Sequence, residues 1–190
     1  LGEGAAYVVL QKDVPCGLAY IRGYANRCDA FHQTATSKNG EGATLAMTGA
    51  LRMAGLQPKD IQYINAHGTG TPDNDASESA AFKRVFGADL PDMSSTKSYT
   101  GHTTSAAGSV ETVICLLAME NDFVPASLGW QHPMPDGVIP SPGRTGVKLD
   151  YVMCNSFGFG GNDSSLILST SQPLADEQPL LDESRIHVAA

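Results

Sequence analysis

Ile61-Gln62-Tyr63-Ile64-Asn65-Ala66-His67-Gly68-Thr69-Gly70-Thr71-Pro72 is the stretch on which the fold turns. Ile61 to Ala66 is short and β-rich, the pattern of a buried strand. His67 to Gly70 is a tight, glycine-rich loop. Thr71 followed by Pro72 is a helix start, with a hydroxyl at the cap and a ring that presets φ for the first turn. Ala81, Phe82, Val85 and Phe86 then line one face until Gly87. Strand, loop and helix in that order make one unit of an α/β layered protein.

The same order recurs downstream. Ser94-Ser95-Thr96 reads as a brief strand, Lys97-Ser98-Tyr99-Thr100-Gly101-His102 as a loop, and the residues after it as a helix with Ala106, Val110, Val113, Ile114 and Leu117 on its apolar stripe. Upstream, Ala5 to Leu10 reads as a buried strand and Leu18 to Tyr24 as a second, with Pro15 and Gly17 turning the chain between them. A Gly/Asn-rich loop at Asn39-Gly40-Glu41-Gly42 follows. Ala43, Met47, Ala50, Leu51 and Ala54 then recur at helical spacing until Gly55 and Pro58. Pro125 to Gly146 is proline- and glycine-rich and reads as an ordered loop. Tyr151 to Asn155 and Ser164 to Ser169 read as strands around Phe157-Gly158-Phe159-Gly160-Gly161. Residues 1–170 thus form one domain, and the acidic, unpatterned residues 171–190 a tail or linker.

Composition narrows the function classes. A hydrophobic content of 42%, a charged content of 17% and a net charge of −8 suit a globular protein. With no basic stripe, a nucleic-acid partner is not expected. No apolar run reaches membrane-span length, so no membrane role is expected either. Cys16, Cys28, Cys115 and Cys154 are scattered without metal-ligand spacing, and read as reduced thiols of a cytoplasmic protein. Asp73 and Asp75 read as caps of the following helix rather than metal ligands. The opening Leu1-Gly2-Glu3-Gly4, running straight into a hydrophobic segment, reads as a cut through a longer protein.

The chemistry centres on His67 and His102. Each sits in a glycine-rich loop between a short strand and a helix, where open α/β sheets build their sites. Gly68, Gly70 and Gly101 allow a ligand close to the backbone. His102 precedes a helix whose positive end disfavours imidazolium, so a neutral ring would donate a hydrogen bond to a developing anion. Taken singly, either histidine is equally a loop residue satisfying backbone groups. The second histidine and the nearby Lys97 weigh against that. His32, His132 and His187 lack such a setting and read as surface or loop residues.

Three ordered motifs resemble the β-ketoacyl-acyl carrier protein synthases, condensing enzymes of the thiolase superfamily. They are His67 to Pro72; Lys97 to His102 with Ala106-Ala107-Gly108 and Glu111; and Asn155 to Asn162. Gly2-Glu3-Gly4-Ala5 is similar to a family segment well downstream of the nucleophile. The resemblance is strongest to synthase II of fatty acid synthesis and its relatives in polyketide and aryl polyene pathways. It implies a thiolase-like fold: the C-terminal half of a duplicated layered αβα architecture with a mixed five-stranded sheet.

The resemblance further implies an acyltransferase that performs a decarboxylative Claisen condensation. His67 and His102 would stabilise the enolate left by decarboxylation of malonyl-carrier protein. Lys97 and Glu111 look like the family's supporting ion pair. Thr69 and Thr71 match residues that bond the phosphopantetheine arm. Phe159, between Gly158 and Gly160, matches a gating phenylalanine whose amide joins the oxyanion hole; taken alone, that glycine loop is a plain hairpin turn. No resident cofactor or metal is implied, because phosphopantetheine arrives on the acyl carrier protein.

The nucleophile departs from the pattern, since none of the cysteines lies in an alanine-cysteine-small residue step at a strand-to-helix elbow. Cys115 and Cys154 read as buried structural thiols. The acyl-holding half is expected elsewhere, as a missing N-terminal half or a homologous synthase chain, in a homodimer or heterodimer. Alone the chain is expected to be inactive and to expose a large apolar face. The rival readings are a non-catalytic partner like a chain-length factor, which commonly loses the histidine pair, and an inactive fragment.

Overall fold

The computed structural model describes residues 1–12 and 16–172. Its principal sheet holds five strands in the order β1-β7-β6-β2-β3. These are β1 (Tyr20–Cys28), β2 (Tyr63–Asn65), β3 (Asp92–Ser94), β6 (Tyr151–Gly158) and β7 (Asn162–Ser169). A two-stranded ribbon joins β4 (Phe123–Val124) to β5 (Arg144–Thr145). β6, β2 and β3 run parallel, while β7 runs antiparallel to both β6 and β1. The helices are α1 (Glu41–Ala54), α2 (Pro72–Phe86), the single turn α3 (Lys97–Thr100) and α4 (Ala107–Glu120).

Alternation along β6 and β7 divides the interior into two layers. Met153, Phe157 and Ile167 face the layer that holds α1 and α2; Val152, Cys154 and Leu168 face the layer that holds α4. The α1 side packs closely because its residues are small. Ala43, Ala46, Ala50 and Ala54 are buried beside Met47 and Leu51, and a Cβ on Gly23 of β1 would meet Ala50 O at 2.6 Å. Truncating Met47 to alanine in that setting costs about 2–5 kcal/mol.

Several sequence expectations need correction. Ala5 to Leu10 is neither strand nor buried: Tyr7 is 91% and Val9 87% exposed, and no strand pairs with them among the described residues. A β-rich run needs a ladder partner as well as a pattern. The second strand runs from Tyr20 to Cys28, later than Leu18 to Tyr24. The loop from Lys97 to His102 opens with a helical turn, and the loop from Pro125 to Gly146 carries β5 near its end.

The predicted stripe of α4 is not its buried face. Ala107, Glu111, Cys115, Ala118 and Met119 point inward, while Val110, Val113 and Ile114 are half-buried and Leu117 is exposed. A helix that is apolar around most of its circumference gives periodicity little to choose between. The turn assigned to Pro15, His187, and the tail from 173 to 190 lie outside the described residues. No helix among the described residues is long and apolar enough to cross a membrane.

Candidate active site

The site gathers at the C-terminal ends of three neighbouring parallel strands. β2 ends at Asn65 and hands on to His67; β3 ends at Ser94 and hands on to Lys97; β6 carries Phe157. Asn65 Nδ2 donates to Thr96 Oγ1 at 3.1 Å, tying the first two strand ends together.

His67 is buried and held from several sides. Its backbone N–H donates to Glu78 Oε1 and that of Gly68 to Oε2, both at 2.8 Å, so one carboxylate of α2 clasps the loop. Gly68 adopts φ 42°, and a Cβ there would meet Ser95 Cβ at 2.5 Å; only glycine fits. Ser95 Oγ donates to Gly68 O at 2.7 Å. The His67 ring lies 6.1 Å from the Phe157 ring and edge-to-face with His102, centroids 5.4 Å apart at 83°. Lys97 Nζ stands 3.4 Å from His67 Nδ1 and is ion-paired to Glu111, with both side chains buried.

This setting governs ionisation. Burial first, then the Lys97 ammonium and His102, bring His67 down to about 3. Burial and Lys97 also lower His102. A 3-10 turn, Thr104–Ala106, lies between His102 and α4 and runs directly into it. His102 Nδ1 accepts the Thr104 N–H at 3.1 Å, which leaves Nε2 as its protonated, donating nitrogen. Burial raises Glu111 against the pull of Lys97, and its Oε2 has no hydrogen-bond partner. Burial raises Glu78 to about 7, although its two backbone bonds pull the other way.

A cleft of about 570 Å³ opens onto these loops, lined by His102, Lys97, Thr69, Glu78, Phe82 and Trp130 among others. His67 is not a lining residue; it lies behind His102. Thr69 and Thr71 share a hydrogen bond at 3.0 Å between their hydroxyls at the rim. Thr71 makes no side-chain cap to α2. Asp75 instead accepts the Gly70 N–H at 3.3 Å, and no group of three or more potential metal-ligating side chains forms among the described residues. His132, an exposed loop residue as its sequence setting implies, also lines the cleft.

Phe159 stands apart. It is 81% exposed at the tip of the β6–β7 hairpin, between Gly158 and Gly160, and does not line the cleft. Locally that loop has the hairpin-turn form. Phe157, two residues earlier on the buried face, is the aromatic that touches His67. Glu78 and Phe157 both escaped the sequence reading. The one signal for Glu78 was an acid bracketed by Ser77 and Ser79 on a helix face about two turns past the His67 loop. All four cysteines are free; Cys115 and Cys154 are buried, Cys16 and Cys28 exposed, and none lines the cleft.

Residues 18–131 match the family described as "Beta-ketoacyl synthase, C-terminal domain", and the chain belongs to that family. It is 42% identical over 181 residues to 3-oxoacyl-[acyl-carrier-protein] synthase 2 of Coxiella burnetii, covering 89% of this chain and 43% of that protein. Two solved structures share its thiolase-like α/β fold. One is a ketosynthase (ApeO) in complex with its chain length factor (ApeC) from Xenorhabdus doucetiae, with TM-score 0.75, 38% identity, and coverage of 82% of this chain and 40% of that one. The other is a type II polyketide synthase acyl-carrier protein in complex with its ketosynthase, with TM-score 0.76, 32% identity, and coverage of 82% and 39%. The chain spans less than half the length of these relatives.

Proposed function

We propose that residues 1–170 supply the decarboxylating half of a β-ketoacyl synthase site, an acyltransferase that condenses malonyl-carrier protein with an acyl thioester. The observation that carries this reading is the edge-to-face His67–His102 pair, 5.4 Å between centroids, with His102 and Lys97 lining a cleft and Lys97 Nζ 3.4 Å from His67 Nδ1. Loss of carbon dioxide from the malonyl group leaves an enolate whose negative charge sits on the thioester oxygen. Two neutral imidazoles serve there as N–H donors, and each such donor is typically worth about 3–4 kcal/mol in the transition state. Burial first, then Lys97, keeps His67 neutral, and Lys97 is itself balanced by Glu111.

The enolate carbon then attacks an acyl thioester held on a cysteine, and the new carbon–carbon bond forms as the acyl C–S bond breaks and releases the cysteine thiolate. No cysteine of this chain lines the cleft, so the acyl-holding residue is assigned to an N-terminal half or a homologous synthase chain, in a homo- or heterodimer. Thr69 and Thr71 at the rim are assigned to the phosphopantetheine arm that an acyl carrier protein delivers; the site holds no cofactor of its own. Phe159, flanked by Gly158 and Gly160, is assigned to the gate over the acyl-holding side. The retained histidine pair favours this reading over a non-catalytic chain-length partner.

Reconstitution with a cysteine-bearing half and malonyl-carrier protein tests the assignment. His102→Ala is expected to lower decarboxylation and elongation together, and undiminished decarboxylation in that variant would sink the role given to His102.

A further inference from the structure

A pair of acidic side chains meets near the tip of the β6–β7 hairpin, at the same end of the sheet as the active-site loops, where Asp163 pairs across the ladder with Phe157. Asp163, early in β7, is only 3% exposed, and its Oδ1 has no hydrogen-bond partner. Asp29, just past β1, stands beside it in a cradle of two glycines. A Cβ on Gly42 of α1 would meet Asp163 Oδ2 at 1.9 Å and Asp29 Cβ at 3.1 Å. A Cβ on Gly161 would meet Asp29 Oδ1 at 2.0 Å. The Asp29 oxygens accept the N–H groups of Phe31 at 3.0 Å and Ser37 at 3.3 Å. A buried carboxylate oxygen with no donor, next to a second carboxylate, is costly unless it carries a proton.

We propose that Asp163 and Asp29 share one proton, Asp163 donating its carboxyl O–H to the Asp29 carboxylate, and that this bond latches the turn bearing Phe159 onto the end of β1. The turn is joined there by the Asp29 N–H bond to Gly161 O at 3.2 Å and by Cys28 Sγ–H to Gly160 O at 3.4 Å. Loss of the proton to solvent leaves two like charges side by side at that seam and drives the turn from β1. Burial, then Asp29, raise Asp163 to about 7, which places the release near neutrality.

The other charged groups around the pair do not replace the proton. Arg27 of β1 is exposed, lying over Gly49 of α1 and donating to Asn26 O. Lys38 and Glu41 are exposed at the start of α1, with Glu41 Oε2 accepting from Asn39. His32 Nδ1 accepts the N–H groups of Thr34 and Ala35. The turn itself carries no charge. The positive end of α1 favours the anion, but burial and Asp29 outweigh it. A cation is a poorer occupant, because no third acidic, histidine or cysteine ligand joins the pair among the described residues.

The test is carboxyl carbon NMR of the full protein across pH, with hydrogen exchange of the Asp29 amide corrected for its intrinsic rate. Asp163 should titrate near neutrality, and Asp29 protection should fall at least about tenfold across that step, the factor carried by one pKa unit. Asp163→Asn keeps a donor toward Asp29 and should flatten the profile; Asp29→Asn should bring the Asp163 titration down. An Asp163 that titrates in the ordinary carboxylate range overturns the proposal. So does an Asp163→Asn variant that keeps the parent's pH dependence, or protection restored at high pH by calcium or magnesium. None of these readouts is catalytic, so the result stands apart from that of the reconstitution above.

Discussion

The His67 loop and the Phe159 turn are both glycine-rich and both lie beside the central strands, yet the fold treats them oppositely. The His67 loop is fastened by a buried carboxylate to two backbone N–H groups, by Ser95, and by the Lys97–Glu111 pair. The Phe159 turn projects its aromatic ring into solvent and is joined to the rest through one edge, at Cys28 and Asp29. The lesson is that glycine content sets what a loop can do, while buried charge decides whether it stays put. A donor aimed at a transient anion gains from rigidity because no reorganisation is left for the moment of reaction. A gate needs the reverse.

The sharpest way to break the contrast is to unfasten the rigid loop. Lys97→Ala strands Glu111 in the interior, and denaturation should show a loss of about 3–5 kcal/mol. His102→Ala should separate chemistry from stability. In the reconstituted synthase its decarboxylation should fall about 10²–10³-fold, while its melting behaviour stays close to the parent's.

Glu78→Gln sharpens the comparison through pH. The folded Glu78 value of about 7 lies above its unfolded one, so folding takes up a proton. The linked stability is fully present below the ordinary carboxyl range and is lost as pH rises to about 7. His67, lowered to about 3, acts in the opposite sense: its ring must stay neutral, so its contribution is present above the unfolded histidine value and lost as pH falls to about 3. Subtracting the Glu78→Gln stability curve from the parent's isolates the glutamate and should leave a slope of about 1 kcal/mol per pH unit between its two values. Phe159→Ala is the smallest effect, with stability within about 0.5 kcal/mol of the parent in the same measurement.

Most of the sheet and both long helices of the first layer were legible from residue pattern, because α1 and α2 each have one apolar face and clear stops at Gly55 and Gly87. Ala5 to Leu10 misled because a strand pattern says nothing about whether a neighbour exists to bond it. The α4 stripe misled because Glu111, the residue that faces inward, is the one a hydrophobicity count places outside. At the site, the histidines and Lys97 were legible through their glycine loops. Glu78 and Phe157 were not, since both act through contacts between segments far apart in sequence. Phe159 drew notice from its motif, whereas burial falls on its neighbour Phe157.

The register of the sheet also carries a consequence for how the molecule is made. Tyr63 of β2 pairs with Val152 of β6, and Tyr20 of β1 with Ser169 of β7. The β6–β7 hairpin is therefore the wedge that joins the two early pieces of sheet, and it is the last regular structure among the described residues to leave the ribosome. Until it arrives, β1 and β2 have unbonded edges and α1 has little sheet to cover. Contacts of such long sequence separation form slowly, and the unpaired strand edges they leave in the meantime are the kind of surface that favours aggregation.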